Sequence, residues 1–269
     1  MSEFIEEIAG FKLILDPYNG VTVEQNQNFD DVDTFEDRLL QLITQLKNEK
    51  RNLLWITFTL EYSHLIPIAS KYDFTFHNCD EDYVMMVKEL KANPIVPTSP
   101  THTLGVGAVV INDNNEVLVI KERVSYNGYK LPGGHIDLAE KISDAVQREV
   151  LEETGVIVEF ESVISLGHFH PHQFGKGNLY ILCKCKALSS KIDIQDTAEI
   201  QEAKWTDVDK FINSEETFEF TKEIIKTTLN FDGMKIKDLE SFKEVDANAL
   251  AWATTPAQIV QILNYTINS

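Results

Sequence analysis

The sequence has 269 residues, enough for two ordinary domains, and its 43% hydrophobic and 25% charged content is typical of a folded globular protein. Its net charge of −19, from 24 Lys and Arg against 43 Asp and Glu, repels phosphate backbones and disfavours a general nucleic-acid binder. A small phosphorylated substrate is compatible with this charge where cations offset it locally.

Residues 1–93 predict a small α/β domain. Short strands are expected between Phe4 and Val23, and an amphipathic helix follows with an apolar face between Leu39 and Leu46. The run from Leu53 to Leu60 is rich in β-formers and predicts a buried strand. A second helix and two more strands complete the domain: Ser63 to Tyr72, Phe74 to His77 and Tyr83 to Val87.

A proline-rich segment, Asn93 to Pro100, marks the boundary to a second predicted domain at residues 101–212. Proline stiffens a connection and disfavours both helix and central strand. Two strands open this domain, Val106 to Ile111 and Glu116 to Ile120, and the Asn-rich turn between them predicts a hairpin. A glycine-containing loop, a long helix and further strands follow up to about Phe211.

Residues 213–269 predict a helical extension. Thr217 to Leu229 and Pro256 to Asn264 both have helical patterns, with Gly233 in a turn between them. The extension either caps the second domain or supports an oligomer interface.

The sequence predicts a cytoplasmic protein without a membrane partner. Its first residues are acidic and form neither the basic n-region nor the apolar h-region of a signal peptide. No apolar run approaches the length that spans a bilayer. The three cysteines lack zinc-like spacing and indicate a reducing compartment. Cys183 and Cys185 lie on one side of a predicted strand, where packing is favoured over redox chemistry.

One motif begins at Gly134 and includes Glu140. After seven further residues it ends with the run Arg148-Glu149-Val150-Leu151-Glu152-Glu153-Thr154-Gly155-Val156. An apolar stripe predicts that this helix packs on a sheet; it consists of Ile142, Ala145, Val146 and Val150. Gly155 stands where a helix end favours the left-handed conformation. Gly133 and Gly134 allow the preceding loop to bend closely around phosphate or metal.

The acidic residues of the motif predict a metal site. Glu149, Glu152 and Glu153 lie at i, i+3 and i+4, so their carboxylates share one helix face. Three like charges need compensation, and oxygen-only ligands suit Mg²⁺ or Mn²⁺. An isolated acidic face is usually solvated surface, but the complete motif arises by chance in roughly one chain in a million.

The motif resembles the signature of the Nudix hydrolases, G-x5-E-x7-R-E-U-x-E-E-x-G-U with U aliphatic, and every specified position is filled. About residues 35–212 resemble a two-domain subgroup that includes plant ADP-ribose/NADH pyrophosphatases and the animal Nudix protein encoded opposite a fibroblast growth factor gene. This resemblance implies an α/β fold, in which a Nudix α/β/α sandwich with a mixed sheet follows a smaller, acetyltransferase-like α/β domain. It also implies a homodimer.

The resemblance assigns roles within the motif. Glu149, Glu152 and Glu153 match the family's metal-binding glutamates, and Gly133 matches the position whose backbone carbonyl often completes the metal site. Arg148 matches the arginine that orients the carboxylates.

The general base is open to two interpretations, because similar enzymes draw it either from the signature helix or from a later loop. Glu199 is the loop candidate, and Glu202 is the second. The alternative for each is an ordinary surface carboxylate. Glu140, the first Glu of the signature, has a supporting role in the family.

Candidate substrate contacts lie outside the motif. Arg123 and Lys130 are candidates for phosphate oxygens, because few cations lie near the signature. His102 and His170 are candidates to contact substrate. For the histidines around Pro171, ordinary loop packing is the alternative. Pro171 interrupts the strand and disfavours a zinc site formed by these histidines. Phe174 and Tyr180 either stack on adenine or pack in the core, and packing is favoured.

We expect metal-dependent hydrolysis of the diphosphate in a nucleoside diphosphate linked to another group. The resemblance favours ADP-ribose or NAD(H), with AMP and a phosphorylated compound as products; Pro171 resembles a proline of ADP-ribose-cleaving members. Alternatives are a nucleotide sugar, CoA or a capped nucleotide as substrate, or a nucleotide-sensing regulator without turnover. The intact signature favours an enzyme over a sensor.

Overall fold

The computed structural model describes residues 5–16, 18–24, 29, 32–124, 128–215, 217, 219–238 and 261–264. The chain divides into two compact units, with the division between Pro100 and Thr101. No helix in these ranges is long and apolar enough to cross a bilayer.

The N-terminal unit is a six-stranded sheet with helices, as expected for an α/β domain. Its strands are β1 (Ile5–Ile8), β2 (Phe11–Leu15), β3 (Val21–Val23), β4 (Leu53–Thr59), β5 (Thr75–Cys79) and β6 (Tyr83–Glu89), and its helices are α1 (Val32–Asn48) and α2 (Ile66–Lys71). The strand order is β1-β2-β3-β4-β6-β5, with β3 and β4 parallel and the other pairs antiparallel. The predicted strand at residues 53–60 is confirmed as β4.

Strand β4 is buried on both faces, which explains its continuous apolar sequence. Leu54, Ile56 and Phe58 belong to the cluster that contains the apolar face of α1, whereas Leu53 and Trp55 pack on the opposite side with β6. The unit therefore has its own hydrophobic core.

In its described residues, the second unit has a mixed three-stranded sheet, two two-stranded sheets and three α-helices. Its main strands are β7 (His102–Val110), β8 (Glu116–Glu122), β9 (Val158–Phe169), β10 (Gly177–Ala187) and β11 (Ile200–Asp207), and its helices are α3 (Ile142–Thr154), α4 (Val208–Asn213) and α5 (Glu219–Asn230). Strand β10 is central, parallel to β7 and antiparallel to β9.

Alternate residues of the mixed sheet face different helices. Val106 and Cys183 pack with the apolar stripe of α3, whereas Val109 and Leu182 pack with α4 and α5. These layers confirm the predicted α/β/α arrangement. Cys183 and Cys185 are both buried in the α3 layer, as the packing interpretation expected.

The predicted hairpin between β7 and β8 is wrong as a sheet pairing. A turn does join the two strands, because Asn112 accepts hydrogen bonds from the backbone of residues 114 and 116. Beyond the isolated bridge between Ile111 and Val117, however, β8 pairs with β11 instead. Both faces of β8 are buried, so its long-range partner is determined by packing and not by the local turn.

The predicted helical extension is only partly helical. Helix α5 corresponds to the first predicted helix, but residues 261–264 form a strand, β13 (Gln261–Asn264), antiparallel to β12 (Lys235–Asp238). The prediction of a helix over residues 256–264 is therefore wrong at its end, and residues 256–260 lie outside the described residues. Strand pairing with β12 satisfies backbone groups and outweighs local helix propensity.

Gly155 ends α3 in the left-handed conformation, with φ of 75°, and its N–H donates to Leu151 O at 2.8 Å. A Cβ at this position would lie 2.3 Å from Asp193 O, so a side chain has no room. Gly175, by contrast, has a φ of 71°, and no atom of the described residues lies within 4 Å of its Cβ position.

We expect Gly155→Ala to lower the free energy of unfolding more than Gly175→Ala. Both variants add left-handed strain of about 1–2 kcal/mol, but only Gly155→Ala must also displace the Asp193 backbone. Urea unfolding of both variants measures the difference. Equal losses in the two variants would contradict this account of the helix end.

Candidate metal and diphosphate site

Helix α3 presents an acidic face because its opposite face is anchored in the core. Ala145, Val146 and Val150 are fully buried, which directs Glu149 and Glu152 away from that stripe. The helix has no side-chain N-cap at Lys141, so packing and its Gly155 end define its position.

Arg148 binds three carboxylates and one carbonyl oxygen. Its Nε and Nη2 donate to the two oxygens of Glu140 at 2.8 and 2.9 Å, and Nη2 also donates to His135 O at 3.0 Å. Its Nη1 donates to Glu149 Oε1 at 2.9 Å and to Glu152 Oε2 at 3.1 Å. These five bonds use all five N–H donors of a guanidinium group.

The Arg148 contacts change the acidity of both partners. Hydrogen bonds from Arg148 lower the pKa of Glu140, and the bond to Glu140 raises the pKa of Arg148 further above its usual range. Glu140 also accepts from the Asp137 N–H at 3.0 Å. Glu140 therefore stays ionised and fixes the orientation of Arg148, the supporting role expected from the signature.

Glu149 is largely buried beside the glycine loop. An added Cβ on Gly134 would lie 2.7 Å from both Glu149 carboxylate oxygens, so the loop backbone approaches this carboxylate closely. Burial raises the pKa of Glu149, although the Arg148 contact opposes the shift. The arrangement leaves Glu149 as a desolvated acceptor that favours a cation.

Glu153 is buried, with 4% of its surface exposed. Its Oε2 accepts a hydrogen bond from the Gly133 N–H at 2.6 Å. Burial raises its pKa to about 8, and the nearby charges of Glu149 and Glu199 act in the same direction. Lys130 opposes the shift, but it is already paired with Glu122. Glu153 therefore lacks full charge compensation from the protein.

The donor set fits a hard divalent cation. The candidate ligands are all oxygens, and Glu149 and Glu152 both contact the same Arg148 nitrogen, so their oxygens lie close together. Within the described ranges, no three His, Cys, Asp or Glu side chains converge into a closed metal cage, and one oxygen of Glu153 is bound to the Gly133 N–H. Mg²⁺ typically keeps several waters and needs only one or two carboxylates, so an open arrangement is sufficient.

The loop candidates for the base differ in their surroundings. Glu199 is exposed, and its charge is among those that raise the pKa of Glu153. Glu202 instead accepts from the Tyr129 hydroxyl at 2.9 Å and lies 3.7 Å from Lys204 Nζ. Of the two, Glu199 acts on the charge of Glu153 and has no competing side-chain partner among the described residues.

Arg123 is tied to the same loop as Glu199. Its Nε donates to Thr197 O at 2.8 Å, and its backbone N–H donates to Glu199 O at 2.9 Å. Sequence reasoning missed Glu122, which pairs with Lys130 and is mostly buried. A single Glu at the end of a strand has no distinctive sequence signal, since only the tertiary fold brings it to Lys130.

The histidine candidates lie together at the ends of β7 and β9. His102 Nε2 and His168 Nε2 are 3.0 Å apart, and the rings of His168 and His170 are 6.4 Å apart. His102 Nδ1 also contacts the Thr101 hydroxyl at 2.8 Å. Sequence reasoning selected His102 and His170 but did not foresee the contact with His168.

Phe174 and Tyr180 have different environments. Phe174 is 95% exposed with a φ of 55°, so the expectation that it packs in the core is wrong. It lies in a short turn after His172, and no apolar layer of the described residues covers it. Tyr180 is partly buried against the core, as expected.

Comparisons with known proteins agree with this geometry. A family model described as a Nudix hydrolase domain matches residues 11–90, and a model described as a NUDIX domain matches residues 101–228. Nudix hydrolase 8 of Arabidopsis thaliana is 34% identical over 218 residues, which cover 79% of this chain and 59% of that protein. The chain therefore spans less than two thirds of the length of this relative.

Two other relatives match over a larger share of their own length. Nudix hydrolase 2 of Arabidopsis thaliana is 34% identical over 74% of this chain and 73% of that protein. Nucleoside diphosphate-linked moiety X motif 6 of Xenopus laevis is 39% identical over 62% of this chain and 79% of that protein.

The raised pKa of Glu153 predicts a pH dependence of the metal-free protein. Between its ordinary value of 4.5 and about 8, the folded protein keeps this carboxyl protonated whereas the unfolded chain ionises it. The unfolded state binds fewer protons there, so stability falls as pH rises through this window. We expect the melting temperature in EDTA to fall as the pH rises through this range. The fall should be smaller in Glu153→Gln.

Glu159→Gln, which changes an exposed carboxylate in the same unit, is the matched control and should keep the dependence of the original protein. Thermal unfolding followed by circular dichroism measures all three proteins. An unchanged pH dependence in Glu153→Gln would show that this carboxyl is not the desolvated group.

Proposed function

The chain belongs to the Nudix hydrolase family, and we propose that it hydrolyses the diphosphate of a nucleoside diphosphate linked to another group. The observation that supports this most directly is the Arg148 cluster, which holds Glu149 and Glu152 next to the buried Glu153. The favoured substrates are ADP-ribose and NAD(H), with AMP and a phosphorylated compound as products.

In this proposal Glu149, Glu152 and Glu153, with the Gly133 carbonyl, hold Mg²⁺ or Mn²⁺. When bound, the cation neutralises phosphate oxygens and so makes the diphosphate a better electrophile. Arg148 keeps two of these carboxylates in place. Such oriented charge contributes to hydrolysis because the site does not have to reorganise during the reaction.

Glu199 is the proposed general base. It lies on the exposed loop fixed by Arg123, and its charge acts on the buried Glu153. A base must reach the attacking water directly or through one intervening water. Glu202 is less suitable because its carboxylate is engaged by Tyr129 and Lys204.

The proposed substrate contacts are of two kinds. Arg123 and Lys130 supply positive charge for phosphate oxygens, with Lys130 shared by Glu122. His102, His170 and Phe174 supply polar and aromatic surface, and the exposed ring of Phe174 is suited to stack on a base or nicotinamide. A homodimer and a cytoplasmic location stay predictions.

Product analysis tests the proposal with ADP-ribose, NADH, NAD⁺, nucleotide sugars and CoA in Mg²⁺ or Mn²⁺. We expect AMP from ADP-ribose or NADH, no product in EDTA, and recovery when metal is added back. Glu152→Gln should lower kcat/KM by at least about a hundredfold, since even residues behind metal ligands contribute roughly 10–100-fold.

Glu159→Gln changes an exposed carboxylate outside the acidic face and serves as the control with full activity. Absence of turnover on the whole panel, with folded and metal-bound protein, would contradict the hydrolase proposal and favour a nucleotide sensor.

A further inference from the structure

The ring of Tyr180 lies across three glycines. A Cβ added to Gly105 would lie 2.8 Å from Tyr180 Cδ2. A Cβ added to Gly107 would lie 2.6 Å from the Tyr180 hydroxyl, and one added to Gly133 would lie 2.8 Å from it. Any larger residue would collide with the ring. The absence of side chains at these positions therefore creates a slot that fits the whole phenol group.

The slot directs the hydroxyl to a defined place. Tyr180 lies on the central strand β10, opposite Gly105 on β7 and Gly167 on β9. From there its ring extends over β7 to Gly133, whose N–H binds Glu153. The hydroxyl therefore reaches the glycine loop beside the acidic face while the rest of the side chain packs against the core.

Two carboxylates lie along the glycine loop that the hydroxyl approaches: Gly133 binds Glu153, and Gly134 lies against Glu149. Burial is the main cause of the raised pKa of Tyr180, and the charges of Glu153, Glu149 and Glu122 raise it further. A tyrosine hydroxyl has an ordinary pKa of about 10, so the phenol keeps its proton at neutral pH even without this shift. A protonated hydroxyl in this position is a hydrogen-bond donor.

Three other donor groups described at this place already contact protein acceptors. The Gly133 N–H binds Glu153, Lys130 pairs with Glu122, and Arg148 uses all five N–H groups. The Tyr180 hydroxyl has no hydrogen-bond partner among the residues that the structure describes. It is thus a fixed donor, available to an arriving acceptor.

We propose that the Tyr180 hydroxyl donates a hydrogen bond to a phosphate oxygen of the bound nucleoside diphosphate. The inference rests on the proposed function for the identity of the ligand, but it concerns binding and does not require turnover. The carboxylates of the glycine loop repel a diphosphate, so a neutral donor there contributes to binding without adding charge.

The test compares Tyr180→Phe with the protein itself in calorimetric titrations with α,β-methylene-ADP, a non-hydrolysable nucleoside diphosphate, in Mg²⁺. We expect Tyr180→Phe to weaken binding by about tenfold or more, the usual size for a lost hydrogen bond to a charged group. Manganese binding without nucleotide and the melting temperature should stay unchanged, because the ring still fills its slot.

Tyr83→Phe is the matched control, because Tyr83 is a partly buried tyrosine of the N-terminal unit. It should bind the analogue as the original protein does. Equal affinity of Tyr180→Phe and the original protein would overturn the proposal, as would a loss of manganese binding in Tyr180→Phe. If the analogue binds and binding is weakened in Tyr180→Phe, but no panel substrate is hydrolysed, the proposed hydrolase activity is contradicted and the Tyr180 proposal is supported.

Discussion

The acidic site depends on the hydrogen bonds that Arg148 donates. Its five N–H groups join Glu140, Glu149, Glu152 and the carbonyl of His135, so one side chain connects the helix with the loop before it. A lysine has the charge but not the planar set of donors, and it would leave some of these oxygens without partners. The loop and the acidic face therefore hold each other in place.

Arg148 also leaves a defined deficit of positive charge. Six carboxylates lie around it and the glycine loop (Glu122, Asp137, Glu140, Glu149, Glu152 and Glu153). Arg148 and Lys130 are the cations that contact them among the described residues. Burial increases the cost of this imbalance for Glu153 in particular. In the proposed function a bound divalent metal relieves this deficit and allows a protein of net charge −19 to accept a diphosphate.

The sequence predicts those features of the site that follow from helical periodicity. The positions of Arg148, Glu149, Glu152 and Glu153 on one helix, and of Gly155 at its end, are determined by spacing alone. The pairing of β8 with β11, the strand β13 and the Tyr180 slot depend on contacts between distant segments, for which no local pattern exists. The same limit hid the partnership of Glu122 with Lys130, and it made a turn between β7 and β8 appear to be a hairpin.

The most direct measurement of the central claim is anomalous diffraction from crystals grown with Mn²⁺. The account predicts an anomalous peak at about 2.2 Å from carboxylate oxygens of the Glu149, Glu152 and Glu153 face, a distance typical of oxygen ligands to such ions. Manganese bound elsewhere, for instance at the His102 and His168 pair, with none at the acidic face under saturating metal, would contradict it.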